Sequence, residues 1–401
     1  MIVYALAFVF TSLLVQAAGS PRLRSGVLRG LLLAVPVLIV STVAGLRNYG
    51  VGGPDALVYG NDVFAGAVSS HNFAALIEVA NRLSIRGELG YLGINFLVSR
   101  ISSDAHVFYF WLALVNASII AIAIMLMRQY APPGLMWLTY LCTAYVDSFN
   151  ILRQGPALAL ALLGIVLVLR ARPWLGLVVG LLGFFFHTSA IAFIPMWLAA
   201  AYLSRDTQHR GRRAVVVIVA VVAVMSASSV LLQTFGGSFA GGAYADYLSG
   251  SVRRGSAVGT EVLYRVVPIA AGLYALSAMR RRGPSAAESL SPGTPARQPH
   301  DRIVVAMPAR QEALAVVVVL LIIELVMLPI REISYPLYRI PAYFGYVRII
   351  AYAMIASSLR VHRLPGYIAV GLFIAAYFYL VVILRSQGEY ASAVLDSWLR
   401  F

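Results

Sequence analysis

Residues 105–127 read AHVFYFWLALVNASIIAIAIMLM, a run without an acidic or basic side chain apart from one histidine. A helix needs about 20 mostly apolar residues to cross the hydrocarbon core of a bilayer, so this run predicts a membrane span. Similar apolar segments lie at 2–18, 27–46, 134–150, 154–171, 174–187, 188–203, 214–232, 262–279, 313–330, 343–359 and 365–384. The sequence therefore predicts an all-α, polytopic integral membrane helical bundle with about 12 transmembrane helices.

The composition also points to a membrane protein. Of the 401 residues, 60% are hydrophobic and 12% are charged, whereas a soluble domain has about 45–50% apolar and about 25% charged residues. The net charge of +15 does not indicate nucleic acid, because the arginines are scattered between apolar segments and form no basic face. Acidic membrane lipids and phosphorylated lipids are the expected anionic partners. The sequence contains no lysine, and its one cysteine, Cys142, lies within a predicted span, so we expect no disulfide, no metal site and no cofactor.

The distribution of arginine predicts the orientation of the chain. Cytoplasmic loops carry the excess of basic residues, which places Arg22, Arg24 and Arg29 inside. The alternation of spans then places 18 of the 31 arginines inside and 11 of the 16 acidic residues outside. Both termini are predicted to lie outside, and the apolar N-terminal segment is predicted to be a retained helix rather than a signal peptide.

Three connecting regions are longer than the others, within a single integral membrane domain predicted over 1–401. Residues 47–104 are predicted to form a large outer loop, in which the stretches near 73–85 and 89–101 are helices on the outer surface. Residues 233–261 are predicted to form a Gly-rich outer loop, which we expect to be mobile. Residues 280–311 are rich in Pro, Ser and Arg and predict a disordered cytoplasmic linker.

Polar residues at the outer ends of the spans are candidates for an anion site. Asn150, Arg153 and Gln154 begin a predicted helix, and a helix N-terminus next to an arginine suits an anion. An ordinary polar turn is the alternative. His187 interrupts the apolar run Phe184-Phe185-Phe186, and it is either functional or a hydrogen-bonded core histidine.

Acidic and aromatic residues extend the candidate site. Asp55 and Glu88 lie in the first outer loop, where a carboxylate serves as a base or pairs with an arginine. Near the end of the chain, Arg339, Tyr343, Phe344 and Arg348 combine basic and aromatic side chains, which suits a sugar phosphate, or alternatively an aromatic belt at the membrane interface.

Glu324 is predicted to lie mid-span in the segment 313–330. A carboxylate there needs a proton or a partner. It therefore favours either a proton path in a transporter or a bond to a neighbouring helix.

The order of several short motifs resembles the EpsG-like, Wzy-type bacterial polysaccharide polymerases. The matching residues are Arg47, Val51-Gly52-Gly53-Pro54-Asp55, Tyr59, Glu88-x-Gly90-Tyr91-x-x-x-Asn95, Phe149-Asn150-x-x-Arg153-Gln154, His187-Thr188-Ser189-Ala190 and Arg339-x-x-x-Tyr343-Phe344. The resemblance implies a membrane glycosyltransferase of the GT-C-like type in the bacterial inner membrane, with its active site facing the periplasm. It also implies that the substrate is an oligosaccharide linked to undecaprenyl diphosphate, with a flippase and a chain-length regulator as candidate partners.

The glycosyl transfer that this resemblance implies gives each candidate residue a predicted role. The catalytic candidates are His187, Asp55 and Glu88. The residues expected to bind the substrate anion are Arg47, Arg153, Arg339 and Arg348, with Gln154 and Asn150 beside them. The residues expected to line the sugar path are Tyr59, Tyr91, Tyr343 and Phe344. The alternatives are a secondary transporter or flippase for a lipid-linked or anionic substrate, an O-antigen ligase, and, as a poorer fit, an acyltransferase.

Overall fold

The computed structural model describes residues 2–47, 55–83, 85, 87–204, 211–221, 223–224, 227, 258–281, 307–328, 339–359 and 363–383. Every regular element among these residues is helical. The helices of the first half are α1 (Ile2–Ala18), α2 (Gly26–Gly45), α3 (Val63–Ser69), α4 (Phe73–Arg82), α5 (Leu89–Ser99), α6 (Ala105–Met127), α7 (Pro133–Tyr140), α8 (Gln154–Leu169), α9 (Pro173–Leu181) and α10 (Phe193–Ser204). Those of the second half are α11 (Val258–Arg280), α12 (Met307–Val326), α13 (Ile340–Gly345), α14 (Arg348–Ser358) and α15 (Arg363–Tyr377).

Shorter helical turns extend several of these helices. A π-helical stretch, Ala56–Asp62, leads into α3, and α7 continues through Leu141–Tyr145 and Asp147–Phe149. Two 3₁₀ turns, Leu182–Phe185 and Thr188–Ala192, connect α9 to α10 on either side of His187. A tightened or widened turn often marks a functional position in a helix.

Five helical segments in the described part of the chain are long and apolar enough to cross a membrane. They are Gly26–Gly45, Ala105–Met127, Glu261–Arg280, Ile340–Ser358 and Leu364–Val381. The other apolar helices are shorter, among them Val3–Ala18, Gln154–Leu169, Pro173–Phe185 and Thr188–Ser204. The helical membrane architecture therefore agrees with the sequence, whereas the full count of about 12 spans stays a prediction.

Local sequence accounts for where several helices begin. Ser25 accepts a hydrogen bond from the Leu28 amide at the start of α2, and Asp104 accepts one from the His106 amide at the start of α6. Such side-chain caps satisfy amides that have no partner inside the helix. The α4 cap, Asn72, works in the same way.

The predicted periplasmic region contains both expected helices, now α4 and α5, together with α3, which the sequence analysis missed. A hydrophobic core separate from that of the main bundle lies here, where α3, α4 and α5 pack together and against the first turns of α6. Tyr91 and Leu92 of α5 are fully buried in this core. The α5 helix is thus a packed element, although its length is too short for a full span.

The boundaries of the other two connecting regions differ from the prediction. Most of 233–261 and 280–311 lies outside the described residues. However, α11 already begins at Val258 and α12 at Met307, before the predicted loop ends. Residues such as Glu261, Arg310 and Glu312 are polar and still helical, so a search for apolar runs places these helix starts too late.

The α8–α9 hairpin brings two polar chain segments to the same end of the bundle. At its turn, Ala171 adopts a left-handed conformation with φ of 58°, and the Arg172 amide donates to the Leu167 carbonyl at 2.9 Å. This pattern reverses the chain directly after a helix. A Cβ atom on Gly176 would lie 2.5 Å from the Gly164 carbonyl oxygen, so the two backbones are in close contact. The start of α8 and the end of α9 are consequently neighbours.

A charged cluster is buried between α11, α12 and α14. Glu324 contacts Arg265 Nε at 2.8 Å and Arg348 Nη2 at 3.1 Å, and Arg265 also lies 3.7 Å from Glu261. Because α12 ends at Val326, Glu324 lies in its last turn, and the predicted mid-span position is wrong. A carboxylate inside a membrane span needs a proton or a partner, and Glu324 has two cationic partners. Its burial therefore requires no proton path.

We predict that Glu324→Gln strongly destabilises the protein. The substitution leaves two buried guanidinium groups short of a counter-charge, and breaking a buried ion pair costs about 3–5 kcal/mol. Thermal unfolding of the purified protein in detergent measures the effect. Glu78→Gln, at an exposed position of α4, is the matched control. Equal stability of the two variants would show that the Glu324 contacts do not hold these helices together.

Candidate functional site

Five charged or titratable residues from distant parts of the chain meet at one end of the bundle. We call Asp55, Glu88, Arg153, His187 and Arg339 the guanidinium cluster. Each of them directly precedes a helix or helical turn. The amide groups at a helix N-terminus point towards such a position and favour negative charge there. The cluster therefore combines two arginines with the starts of two longer helices, α5 and α8.

Arg153 and Glu88 form the tightest ion pair of the cluster. Arg153 Nη1 lies 2.7 Å from Glu88 Oε2, and both side chains are buried. The Arg153 guanidinium also stacks on the Tyr59 ring, with its central carbon 3.7 Å from the ring centroid. Burial raises the pKa of the Glu88 carboxyl, while Arg153 and a hydrogen bond from the Thr188 amide act in the opposite direction. The pair joins the starts of α5 and α8 and the turn after His187.

Arg339 makes the second set of contacts. Its Nη1 lies 2.7 Å from His187 Nε2, and its Nη2 lies 3.5 Å from Asp55 Oδ2. The side chains of Arg339 and Asp55 are 18% and 19% exposed, about twice the exposure of Arg153. Burial raises the pKa of the Asp55 carboxyl above its ordinary value, and Arg339 and Arg153 oppose this rise. Asp55 is thus more accessible than Glu88. Its carboxylate is also more basic than it would be in water.

His187 has a hydrogen-bond donor at each ring nitrogen. The Ser189 amide donates to Nδ1 at 3.0 Å, and Arg339, which can only donate, faces Nε2. Because a donor faces each ring nitrogen, the ring is neutral. A neutral imidazole has a single lone pair for hydrogen bonding, so it accepts from one of these two donors, and the tautomer decides which. An added acceptor, such as an anionic oxygen, would satisfy the donor that the ring leaves without a partner.

Neighbouring polar side chains hold these residues in position. Gln154 Nε2 donates to the Arg339 carbonyl at 3.0 Å, and the hydroxyls of Ser189 and Tyr343 lie 3.0 Å apart. The Tyr91 hydroxyl donates to the Tyr59 carbonyl at 2.5 Å. These contacts fix the starts of α8 and α13 and the π-helical stretch relative to one another.

The predicted sugar-path aromatics differ in exposure. Tyr59 is partly exposed beside Arg153, whereas Tyr91, Tyr343 and Phe344 are fully buried. Buried rings pack and position their neighbours and offer no free face to a sugar. In this structure only Tyr59 of the four presents a ring at the guanidinium cluster.

Two of the predicted anion-binding arginines lie elsewhere. Arg348 belongs to the buried cluster around Glu324, which supplies the partner that a charge inside a span requires. Arg47 is 2% exposed and is sandwiched between the rings of Tyr109 and Phe149, whose centroids lie 3.9 and 4.6 Å from its guanidinium carbon. The structure therefore separates the four arginines that the sequence analysis had grouped into one anion site.

No described hydrogen bond or ion pair joins the Asn150 side chain to the guanidinium cluster. Asn150 is partly buried, and among the described residues its Oδ1 has no hydrogen-bond partner. Ser189, quoted in a motif but not predicted as a site residue, bonds to both His187 and Tyr343 through different atoms. Its proximity to His187 in sequence was the one available signal for this role.

A comparison with known protein families identifies the chain. A model of the EpsG family matches residues 30–395, nearly the whole chain. The chain belongs to the EpsG family. All five residues of the guanidinium cluster lie within the matched range. No curated protein and no solved structure is significantly similar to this EpsG-family chain. Membership of the EpsG family associates it with polysaccharide polymerisation, and its apolar helices indicate a membrane protein.

We predict that Glu88 and Arg153 are energetically coupled in this EpsG-family protein. Glu88→Gln and Arg153→Gln are each expected to cost about 3–5 kcal/mol of stability, because either change leaves a buried charge unpaired. The double variant is expected to lose much less than the sum. Thermal unfolding of the four proteins gives the coupling energy as a double-mutant cycle. Strict additivity of the two losses would contradict the pairing.

Proposed function

We propose that this protein polymerises oligosaccharide repeat units linked to undecaprenyl diphosphate, at the periplasmic face of the bacterial inner membrane. The product is an exopolysaccharide, a capsule or an O-antigen. Support comes from membership of the EpsG family and from the guanidinium cluster. The substrate combines a diphosphate, a sugar chain and a polyprenyl tail, and the cluster provides arginines, a half-buried tyrosine and a position at the end of apolar helices.

Two donors, the Ser189 amide and Arg339 Nη1, face a His187 ring that has one lone pair, and this geometry supports an anion site. A diphosphate oxygen beside Arg339 would accept the hydrogen bond that the ring cannot accept. Charge-assisted hydrogen bonds of this kind are about twice as strong as neutral ones. The anion would also compete with Asp55 for Arg339, since the contact between those two is the long one, at 3.5 Å.

In the proposed reaction, a hydroxyl of one repeat unit attacks the anomeric carbon of the chain carried on undecaprenyl diphosphate. A new bond forms between the hydroxyl oxygen and the anomeric carbon, and the bond from that carbon to the diphosphate oxygen breaks. Undecaprenyl diphosphate leaves with the bonding electrons. Arg339, Arg153 and the helix starts around them would stabilise the negative charge that develops on the leaving group.

We assign the role of base to Asp55. It is the partly exposed carboxylate of the cluster, whereas Glu88 is committed to Arg153. Two donors, the Ser189 amide and Arg339, already face the His187 ring and its single lone pair, so His187 is not assigned as the base. The hydroxyl proton passes to the Asp55 carboxylate as the new bond forms.

The pH dependence of polymerisation tests this assignment. A base with a raised pKa is charged only above that pKa, so activity should be present at neutral pH and should fall on acidification sooner than an ordinary carboxyl would cause. Asp55→Asn should reduce the rate by about a hundredfold or more. Asp62→Asn removes an exposed carboxylate from the same π-helical stretch and should leave both rate and pH profile unchanged. A normal profile in Asp55→Asn would exclude Asp55 as the base.

Analysis of glycolipids in a deletion strain separates the candidate functions. Loss of a polymerase leaves single repeat units on lipid carriers at the outer face. Loss of a flippase traps them at the inner face, and loss of an O-antigen ligase leaves finished polymer that is not attached to its final lipid. We expect single repeats at the outer face.

Complementation of the same strain tests the anion site. Arg339→Gln should fail to restore polymer, because losing a charge-assisted contact costs about 1.5–3 kcal/mol, roughly ten- to a hundredfold in rate. Arg82→Gln, at the exposed end of α4, is the matched control and should restore full polymer. Normal polymer length and yield with Arg339→Gln would overturn the proposed anion site.

A further inference from the structure

A groove of about 530 Å³ runs along the surface between α2 and α6. Its volume lies in the range of ordinary small-molecule sites, about 300–1,000 Å³. The walls are almost entirely apolar, and one charged side chain, Arg128, lies at the end of the groove. The lining residues are Leu33, Ala34, Val37, Leu38, Leu114, Ser118, Ala121, Ile122, Met125, Leu126 and Arg128.

The groove faces outward from the bundle. Ala34, Leu38 and Ile122 along its rim are exposed, and both α2 and α6 are long and apolar enough to span a membrane. An exposed apolar groove on such helices lies in the hydrocarbon region of the bilayer. We therefore expect a hydrocarbon chain to occupy the groove.

Further arginines surround the charged end of the groove. Arg29 lies one turn before Leu33 on the same face of α2, because residues four apart lie above one another on a helix. Burial lowers the pKa of Arg128, and the neighbouring charges of Arg29 and Arg170 lower it further. Arg29 donates to the carbonyls of Ala18 and Leu23, and Arg170 donates to the side-chain oxygen of Gln129. These contacts orient the two guanidinium groups without neutralising them.

The charged end lies at the opposite end of the bundle from the guanidinium cluster. Arg153 directly precedes α8 and Arg170 directly follows it, and α8 has 16 residues. At about 1.5 Å per residue, the two ends are roughly 24 Å apart. In the orientation that the arginine distribution predicts, the groove opens into the cytoplasmic leaflet.

We propose that the groove between α2 and α6 binds an anionic phospholipid of the cytoplasmic leaflet. One acyl chain lies along the apolar walls, and the phosphate is held by Arg128 with Arg29 and Arg170 beside it. Basic pockets between membrane helices on the cytoplasmic side suit anionic headgroups. Charge complementarity selects this occupant over a zwitterionic lipid. The inference depends on the membrane orientation and not on the reaction proposed above.

Native mass spectrometry of the detergent-purified protein tests the site, with phosphatidylglycerol and phosphatidylcholine added in parallel. We expect phosphatidylglycerol to be retained preferentially. Ala34→Trp should fill the groove and reduce the phosphatidylglycerol-bound fraction about tenfold, whereas Val35→Trp, exposed on the same helix outside the groove lining, should not. Equal retention of the two lipids, or equal effects of the two tryptophans, would overturn the proposal.

A second pair of variants tests the headgroup position. Arg128→Gln should weaken phosphatidylglycerol binding about fivefold, because one basic residue near an anionic lipid contributes about 1 kcal/mol to binding. Arg172→Gln, an exposed arginine in the turn between α8 and α9, should have no effect. Unchanged binding in Arg128→Gln would overturn the assignment of the phosphate. Displacement of phosphatidylglycerol by an equal amount of undecaprenyl phosphate would instead identify the groove as a site for the polyprenyl lipid.

Discussion

The contact between Arg153 and Glu88 is the constraint on which the candidate site depends. It joins the start of α8 to the start of α5, although the two residues are 65 positions apart in the chain. Arg153 also orders Tyr59, and Glu88 accepts from the turn that follows His187. His187 in turn faces Arg339. A single buried ion pair thus connects the region between α2 and α6, the α8–α9 hairpin and α13.

Two clusters of charge in this protein have different character. Around Glu324, largely buried side chains form short ion pairs between helices. At the guanidinium cluster the formal charges also balance, but Arg339 and Asp55 are about a fifth exposed and lie 3.5 Å apart. A buried cluster with short contacts stabilises the packing of helices. A looser and partly exposed pair is suited to an incoming anion. This difference is the physical reason for placing the reaction at Arg339 and a structural role at Glu324.

The sequence predicted the elements whose signal is local. Long apolar runs such as 105–127 predicted helices, and the five residues of the guanidinium cluster were all candidates before their contacts were known. The sequence did not predict which side chains each arginine would contact. Arg47 and Arg348 have the same side chain as Arg153, yet the fold places one between aromatic rings and the other beside Glu324. Burial of Tyr91 likewise follows from the packing of α3 to α6, which no spacing along the chain reveals. The contacts that matter join residues up to 284 positions apart.

The anion site is tested most directly by the affinity of the purified protein for undecaprenyl diphosphate relative to undecaprenol, which has the same tail and no phosphate. We expect the diphosphate to bind at least about tenfold more tightly, a difference of about 1.4 kcal/mol. We also expect this preference to disappear when Arg153 and Arg339 are both replaced by glutamine. Equal affinity of the wild-type protein for the two lipids would show that the guanidinium cluster does not bind the diphosphate.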